Sequence, residues 1–132
     1  MITAKADALV FQEVEPVFRF VALNFLSNYP RWSPEVIDLQ PLSTGPIQLG
    51  YQARQIRIDQ GHKTESIFEV AELVPLKRVI FKGITAPYCS IYEFADLNSS
   101  TQLTFTFELH QLETRMRPFE TLLSGDVRGG MI

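Results

Sequence analysis

Thr101-Gln-Leu-Thr-Phe-Thr-Phe-Glu-Leu-His110 is the stretch that decides the fold. Leu103, Phe105, Phe107 and Leu109 fall on one side of an extended chain, and Gln102, Thr104, Thr106, Glu108 and His110 on the other. Alternation with period two is the mark of a strand. With one side apolar and the other polar, the strand belongs to an antiparallel sheet covered on a single face.

Working back from it, Asp96-Leu-Asn-Ser-Ser100 is a turn, and residues 88–95 form the preceding strand. Residues 77–82 and 64–73 are two more, meeting at the Val74-Pro75 corner. Asp59-Gln-Gly-His62 is a Gly-containing hairpin loop. Before it come strands at 50–58 and 36–42, separated by the turn Ser43-Thr-Gly-Pro46. Every link between these six strands is short, so they pair as antiparallel neighbours.

The first third reads differently. Ile2, Ala4, Ala6, Ala8 and Val10 alternate as a strand over 2–11. Glu13-Val-Glu-Pro16 is a helix start, with acids and a Pro in the first turn, and Phe18, Val21, Ala22 and Phe25 follow at helical spacing. Ser27-Asn-Tyr-Pro-Arg-Trp-Ser-Pro34 is expected to break that helix, leaving at most a short second turn between the prolines. From Pro118 a helical stripe returns at Phe119, Leu122, Leu123 and Val127, weakened by Gly125, Gly129 and Gly130. The order is strand, two helices, six strands, helix: an α+β chain with a seven-stranded antiparallel sheet.

That order and several short motifs resemble the START-like superfamily of polyketide cyclases/dehydrases and lipid-transport proteins, with its helix-grip fold. Val17-Phe18-Arg-Phe20 after the acidic-Pro start is similar to the family's first helix. Asn28-Tyr-Pro-Arg-Trp32-Ser-Pro34 is similar to its W-[ST]-P corner. Thr44-Gly-Pro46 with Gly50, Phe68-Glu-Val70 through Pro75 to Phe81-Lys-Gly83, and Ser100-Thr-Gln-Leu-Thr104 match its later strands and turns. The resemblance spans the chain, implying one domain over 1–132 whose curved sheet wraps a C-terminal helix. The family's closing helix runs several turns longer than the stripe at 118–127, so the resemblance implies a truncated one here.

Composition limits the function classes. A 132-residue chain with 45% hydrophobic residues, ten of them Phe, has enough apolar surface for a core without metals or disulfides. Twelve basic residues scattered among fifteen acids, net −3, exclude a basic nucleic-acid-binding domain. The single cysteine, Cys89, permits no internal disulfide and agrees with a reducing compartment. The N-terminus has no continuous apolar run and nothing reaches the length of a membrane span, so a soluble, cytoplasmic protein, monomer or homodimer, is expected.

No motif assembles a catalytic centre. His62 reads as a solvated loop residue and His110 as the polar-face end of a strand. No spacing of His, Cys or acids matches a metal site, so neither metal nor cofactor is expected. Cys89 has no cue for a lowered pKa, and the serines lack a nucleophile elbow. Trp32 reads as a rim residue closing the core, with a gate beside a pocket mouth as the alternative. Arg54, Arg78, Arg115 and Arg117 read as surface residues, though any one beside a cavity would anchor a carboxylate or phenolate.

The aromatic residues say more. A curved sheet gripping one helix leaves space between them, and the resemblance implies an apolar cavity there; the residues expected to line it are Trp32, Phe81, Tyr92, Phe94, Phe105, Phe107, Phe119 and Leu123. The first hypothesis is a carrier or sensor of an apolar molecule: a lipid, isoprenoid or polyketide. The second is an aromatase/cyclase-type enzyme, which polar groups at the cavity floor would favour. The third is a protein-interaction module, which a filled cavity and an exposed apolar patch would favour.

Overall fold

The structure, a computed structural model, describes residues 2–110. Its elements are β1 (Ile2–Val10), α1 (Val14–Phe18), a π-helical turn (Arg19–Leu23), α2 (Phe25–Trp32), β2 (Val36–Pro41), β3 (Gln52–Asp59), β4 (His62–Val74), β5 (Arg78–Gly83), β6 (Tyr88–Asp96) and β7 (Thr101–Leu109). The seven strands form one curved antiparallel sheet in the order β1-β7-β6-β5-β4-β3-β2. Every expected strand is present. The closing helix expected at Phe119–Val127 lies outside the described residues. Among the described residues no helix is long and apolar enough to cross a membrane.

The turns set the register. Asp59 pairs with His62 across a two-residue loop in which Gln60 and Gly61 have φ of 53° and 86°. Two successive positive φ values match the right-handed twist of the flanking strands, and glycine adopts one at no steric cost. Register shifts at Val36/Asp38 and Val70/Glu72 add the local bends that bulges produce. The inner face of the sheet carries Ala53, Phe68, Val70, Val79, Phe81, Tyr92 and Phe94, and the helices cover it with Val14, Val17, Phe18, Val21, Ala22 and Phe25. At the other end Thr101, fully buried, donates its Oγ1 hydrogen to the Gln12 carbonyl at 2.9 Å. That bond ties the link between β1 and α1 to the start of β7.

The helical segment departs from expectation. The regular helix is interrupted at the π-turn Arg19–Leu23, where the Asn24 amide donates to the Arg19 carbonyl, and α2 then runs straight through Pro30 to Trp32. A proline inside a helix costs about 3 kcal/mol through its missing N–H and its clash with the preceding turn. Here the helix is kept because it sets Phe25, Tyr29 and Trp32 on one side, at i, i+4 and i+7. Their packing on the sheet outweighs the local preference. Asn28, also buried, sends Nδ2 back to the Phe20 carbonyl at 2.9 Å, so α2 is fastened to the turn before it.

Candidate functional site

Phe25, 2% exposed, is the hub of the inner face. Its ring stacks on Phe81 at 4.0 Å and on Tyr29 at 4.5 Å, and meets Phe68, Trp32 and Tyr92 edge-on. From there a row of rings crosses toward β7. Trp32 lies against Tyr92, Tyr92 against Phe105 at 4.9 Å, and Tyr88 stacks on Phe107 at 5.9 Å. Edge-on and offset pairs such as these are worth roughly 0.5–1.5 kcal/mol each beyond the area they bury.

The expected lining therefore divides. Trp32, Tyr92, Phe105 and Phe107 are brought together as one wall. Trp32 is 38% exposed, at the rim, and donates Nε1–H to the Tyr92 hydroxyl at 3.3 Å. Phe81 and Phe94 are buried in the core, as Tyr92 also is at 5% exposure, and Phe94 lines part of a groove beside the β4–β5 corner. Phe81 is capped by Phe25, and Phe94 is pinned under α1 by the edge of Phe18 at 5.1 Å. Phe119 and Leu123 lie outside the described residues.

Beside the wall is a polar cluster that sequence reasoning did not find. Gln55, only 4% exposed, lies on the inner face of β3 two residues from buried Ala53. Its Oε1 accepts from the Tyr29 hydroxyl at 3.1 Å and its Nε2 donates to the Tyr88 hydroxyl at 3.0 Å. Ser66 Oγ and the Tyr88 hydroxyl share a hydrogen bond of 3.2 Å. Arg57, two residues along β3, donates through Nη1 to the Tyr29 hydroxyl at 2.9 Å and to Ser33 Oγ at 3.0 Å. Its Nε and Nη2 grip both carboxylate oxygens of Asp59, each at 3.0 Å.

One glycine makes the cluster possible. Tyr88 is on β6, while Gln55 and Ser66 are on β3 and β4, so its ring must cross β5. It crosses at Gly83. A Cβ there would lie 2.7 Å from Tyr88 Cε2 and would collide with the Ala86 carbonyl oxygen. An isolated glycine in a strand marks such a close approach, and the Phe81-Lys-Gly83 strand end carried that signal.

The electrostatics favour hydrogen-bond donation over proton abstraction. Burial pushes the Tyr29, Tyr88 and Tyr92 hydroxyls above the usual phenol range, with Arg57 pulling Tyr29 the other way. All three stay neutral near pH 7. The Asp59 hydrogen bonds hold Arg57 charged against the opposing effect of burial. Among the described residues, the Tyr92 hydroxyl accepts from Trp32 while its own proton has no acceptor. The second Nε2 hydrogen of Gln55 is likewise uncommitted. These hydrogens are donors for a carbonyl or hydroxyl oxygen brought within reach, at residues only 5% and 4% exposed. Among the described residues, the cluster contains no histidine or thiol to act as a base.

The arginines singled out in the sequence are not these. Arg54 pairs with Glu65 at 2.6 Å and Arg78 with Glu72 at 2.7 Å, both on the outer face, while Arg115 and Arg117 lie outside the described residues. His62 is exposed, and His110 faces Glu108. Two clefts open elsewhere. One, of about 130 Å³, lies between α2 and Gly45–Ile47; the other is a groove of about 640 Å³ beside the β4–β5 corner. Neither is lined by any of the polar cluster.

No family model and no curated protein matches the sequence. Solved structures do. The Zhui aromatase/cyclase from a Streptomyces species superposes with a TM-score of 0.68 at 16% identity, over 94% of this chain and 85% of that one. A START superfamily protein from Mycobacterium smegmatis gives 0.67 at 17% identity, over 94% and 87%. The ginseng major latex-like protein 151 from Panax ginseng gives 0.67 at 11% identity, over 94% and 93%. Identities this low carry the architecture alone, and they agree on it: the fold of this chain is the START-like, helix-grip fold of the polyketide cyclase-like and major latex-like proteins.

Proposed function

We propose that the inner face binds a planar, largely apolar small molecule that bears carbonyl or hydroxyl oxygens. A polyketide-like compound fits this description better than a saturated lipid. The observation that carries the reading is the adjacency of two surfaces: a ring wall of Trp32, Tyr92, Phe105 and Phe107, and neutral donors at Tyr92, Gln55 and Tyr88. The protein acts as a binder or carrier in the cytoplasm, as a single domain, monomer or homodimer. The second reading is an aromatase/cyclase-type enzyme. The polar floor favours it, since fixed phenol and amide donors can polarise a carbonyl and hold a chain in a reactive fold. The aromatase/cyclase among the structural neighbours supports the same reading.

The one tryptophan sits on the proposed wall, so its fluorescence reports occupancy. Titration with a hydroxyanthraquinone and with anthracene separates the oxygens from the rings. The quinone should bind about tenfold tighter or better, the roughly 1.4 kcal/mol expected of one or two hydrogen bonds. Tyr88→Phe together with Gln55→Leu should reduce that preference, leaving Tyr92 as the remaining donor, and leave anthracene binding in place. Equal affinities in the parent would overturn the polar part of the reading. Absence of binding by either compound would overturn all of it and favour the interaction module.

A further inference from the structure

A separate group of side chains stands on the outer face of the sheet, with no part in the proposed binding surface. Glu108 and His110 are two residues apart, so strand alternation turns both outward. The His110 amide continues the ladder by donating to the Pro87 carbonyl at 2.7 Å. Cys89 of β6 is the direct cross-strand partner of Glu108. The Cys89 Sγ, a Glu108 carboxylate oxygen and a His110 ring nitrogen all lie within 4.8 Å of one another, and His110 Nε2 is 3.3 Å from Glu108 Oε1. All three side chains are partly accessible.

We propose that Cys89, Glu108 and His110 form a three-ligand site for a borderline-soft divalent cation of the Zn²⁺ class, with water in the fourth position. Three arguments support it. Ligands around a tetrahedral Zn²⁺ at bond lengths of about 2.0–2.3 Å lie roughly 3.3–3.8 Å apart, so small side-chain rotations close the present triangle. The donor set of sulfur, nitrogen and oxygen suits Zn²⁺ and excludes Mg²⁺ and Ca²⁺, which take oxygen ligands. A thiolate and a carboxylate together neutralise the charge of the ion. The backbone ladder already fixes the three attachment points, so little chain entropy opposes binding. None of this is visible as a sequence spacing, because the cysteine reaches the other two only across the β6–β7 pair.

Binding has a defined proton balance. The Cys89 thiol gives its proton to water as the sulfur–metal bond forms, while Glu108 binds as carboxylate and His110 as neutral imidazole. Burial and the Glu108 charge hold the thiol above its ordinary range, and Lys82, across from it on β5, acts in the opposite direction. Uptake should therefore release a proton.

The test uses the full, reduced, metal-free chain titrated with Zn²⁺ against a chromogenic chelator, and with Co²⁺ followed by absorption. One equivalent should bind, with a thiolate-to-cobalt band. Cys89→Ser and His110→Gln should each weaken binding at least as much as the ~10–100-fold that losing even an outer partner of a metal ligand costs. His62→Gln should leave it unchanged, and millimolar Mg²⁺ should not compete. Because Cys89 is the chain's one cysteine, its modification by a disulfide reagent gives a readout independent of any variant's folding. Zn²⁺ should protect it. Full reactivity of the thiol at saturating Zn²⁺, or equal Zn²⁺ affinity in parent and Cys89→Ser, would overturn the site.

Discussion

Around Phe25 the inner face is held ring against ring, whereas around Arg57 it is held by a chain of hydrogen bonds. Tyr29 belongs to both, its ring stacked on Phe25 and its hydroxyl between Arg57 and Gln55. The difference is one of directionality. Burial and dispersion act in every direction, so the aromatic region tolerates small shifts and loses stability in proportion to what is removed. The polar region depends on angles and distances, and a member removed from it leaves its partner desolvated and unpaired. The first region should dominate stability and the second should dominate selectivity.

The largest expected effect comes from the aromatic hub. Phe25→Ala should destabilise the fold by about 3–5 kcal/mol, the usual range for deleting a buried ring, measured by denaturant unfolding. Nothing on the polar side should match it. A loss below about 1 kcal/mol would mean that the stack around Phe25 relaxes to fill the space, and the contrast between the regions would fail.

The second prediction breaks the polar region while sparing the aromatic one. Replacing a strand glycine by alanine ordinarily helps, since it reduces the freedom of the unfolded chain. At Gly83 the sign should reverse. The added methyl meets the Tyr88 ring and the Ala86 carbonyl, and overpacking of this kind costs about 1–3 kcal/mol. Moving Tyr88 also removes its bonds to Gln55 and Ser66, so the preference for the quinone over anthracene should weaken in the same variant. A Gly83→Ala protein with unchanged stability and unchanged preference would show that Tyr88 does not depend on that approach.

The same contrast explains what could be read in the sequence. The strands were legible because alternation over Leu103, Phe105 and Phe107 is a local pattern, and their pairing followed from short links. The shared face of Tyr92, Phe105 and Phe107 was legible from period two, but no period tells a half-exposed ring from a buried one. Phe25 and Phe18 sit directly on Phe81 and Phe94 and bury them, though Phe94 also borders the groove beside the β4–β5 corner. The helix break was misplaced because the rule for residues preceding proline is local. The π-turn and the passage through Pro30 are decided by how Phe25, Tyr29 and Trp32 pack on strands far away in sequence. Gln55, Arg57 and Tyr88 were missed for a related reason. A glutamine and an arginine in a strand ordinarily face water, and only the α2 hydroxyl above them and the glycine gap in β5 reverse that.

The smallest expected effect concerns the outer end of the polar region, where it meets solvent. Hydrogen bonds from Arg57 hold the Asp59 carboxyl below the usual carboxylate range. A carboxyl whose folded pKa is depressed adds stability that is fully present above its unfolded value, about 3.9. That contribution is lost as pH falls from there through the lower folded value. Because the Asp59 side chain is 47% exposed, it should amount to no more than about 0.5–1 kcal/mol near neutrality. Asp59→Asn should therefore be less stable than the parent by that amount at pH 7. The two should converge as pH falls through the parent's lowered folded value, below which its carboxyl is protonated in both states. Glu35, 3.8 Å from Arg57 Nη2, is placed to take over part of the pairing and keep the loss small. Unfolding curves of both proteins from pH 7 to pH 2.5 decide the matter. A difference that persists undiminished to the acid end would assign it to lost packing or hydrogen-bond geometry rather than charge. Arg57 would then be held by Tyr29 and Ser33 from α2, not by the carboxylate at its own strand end.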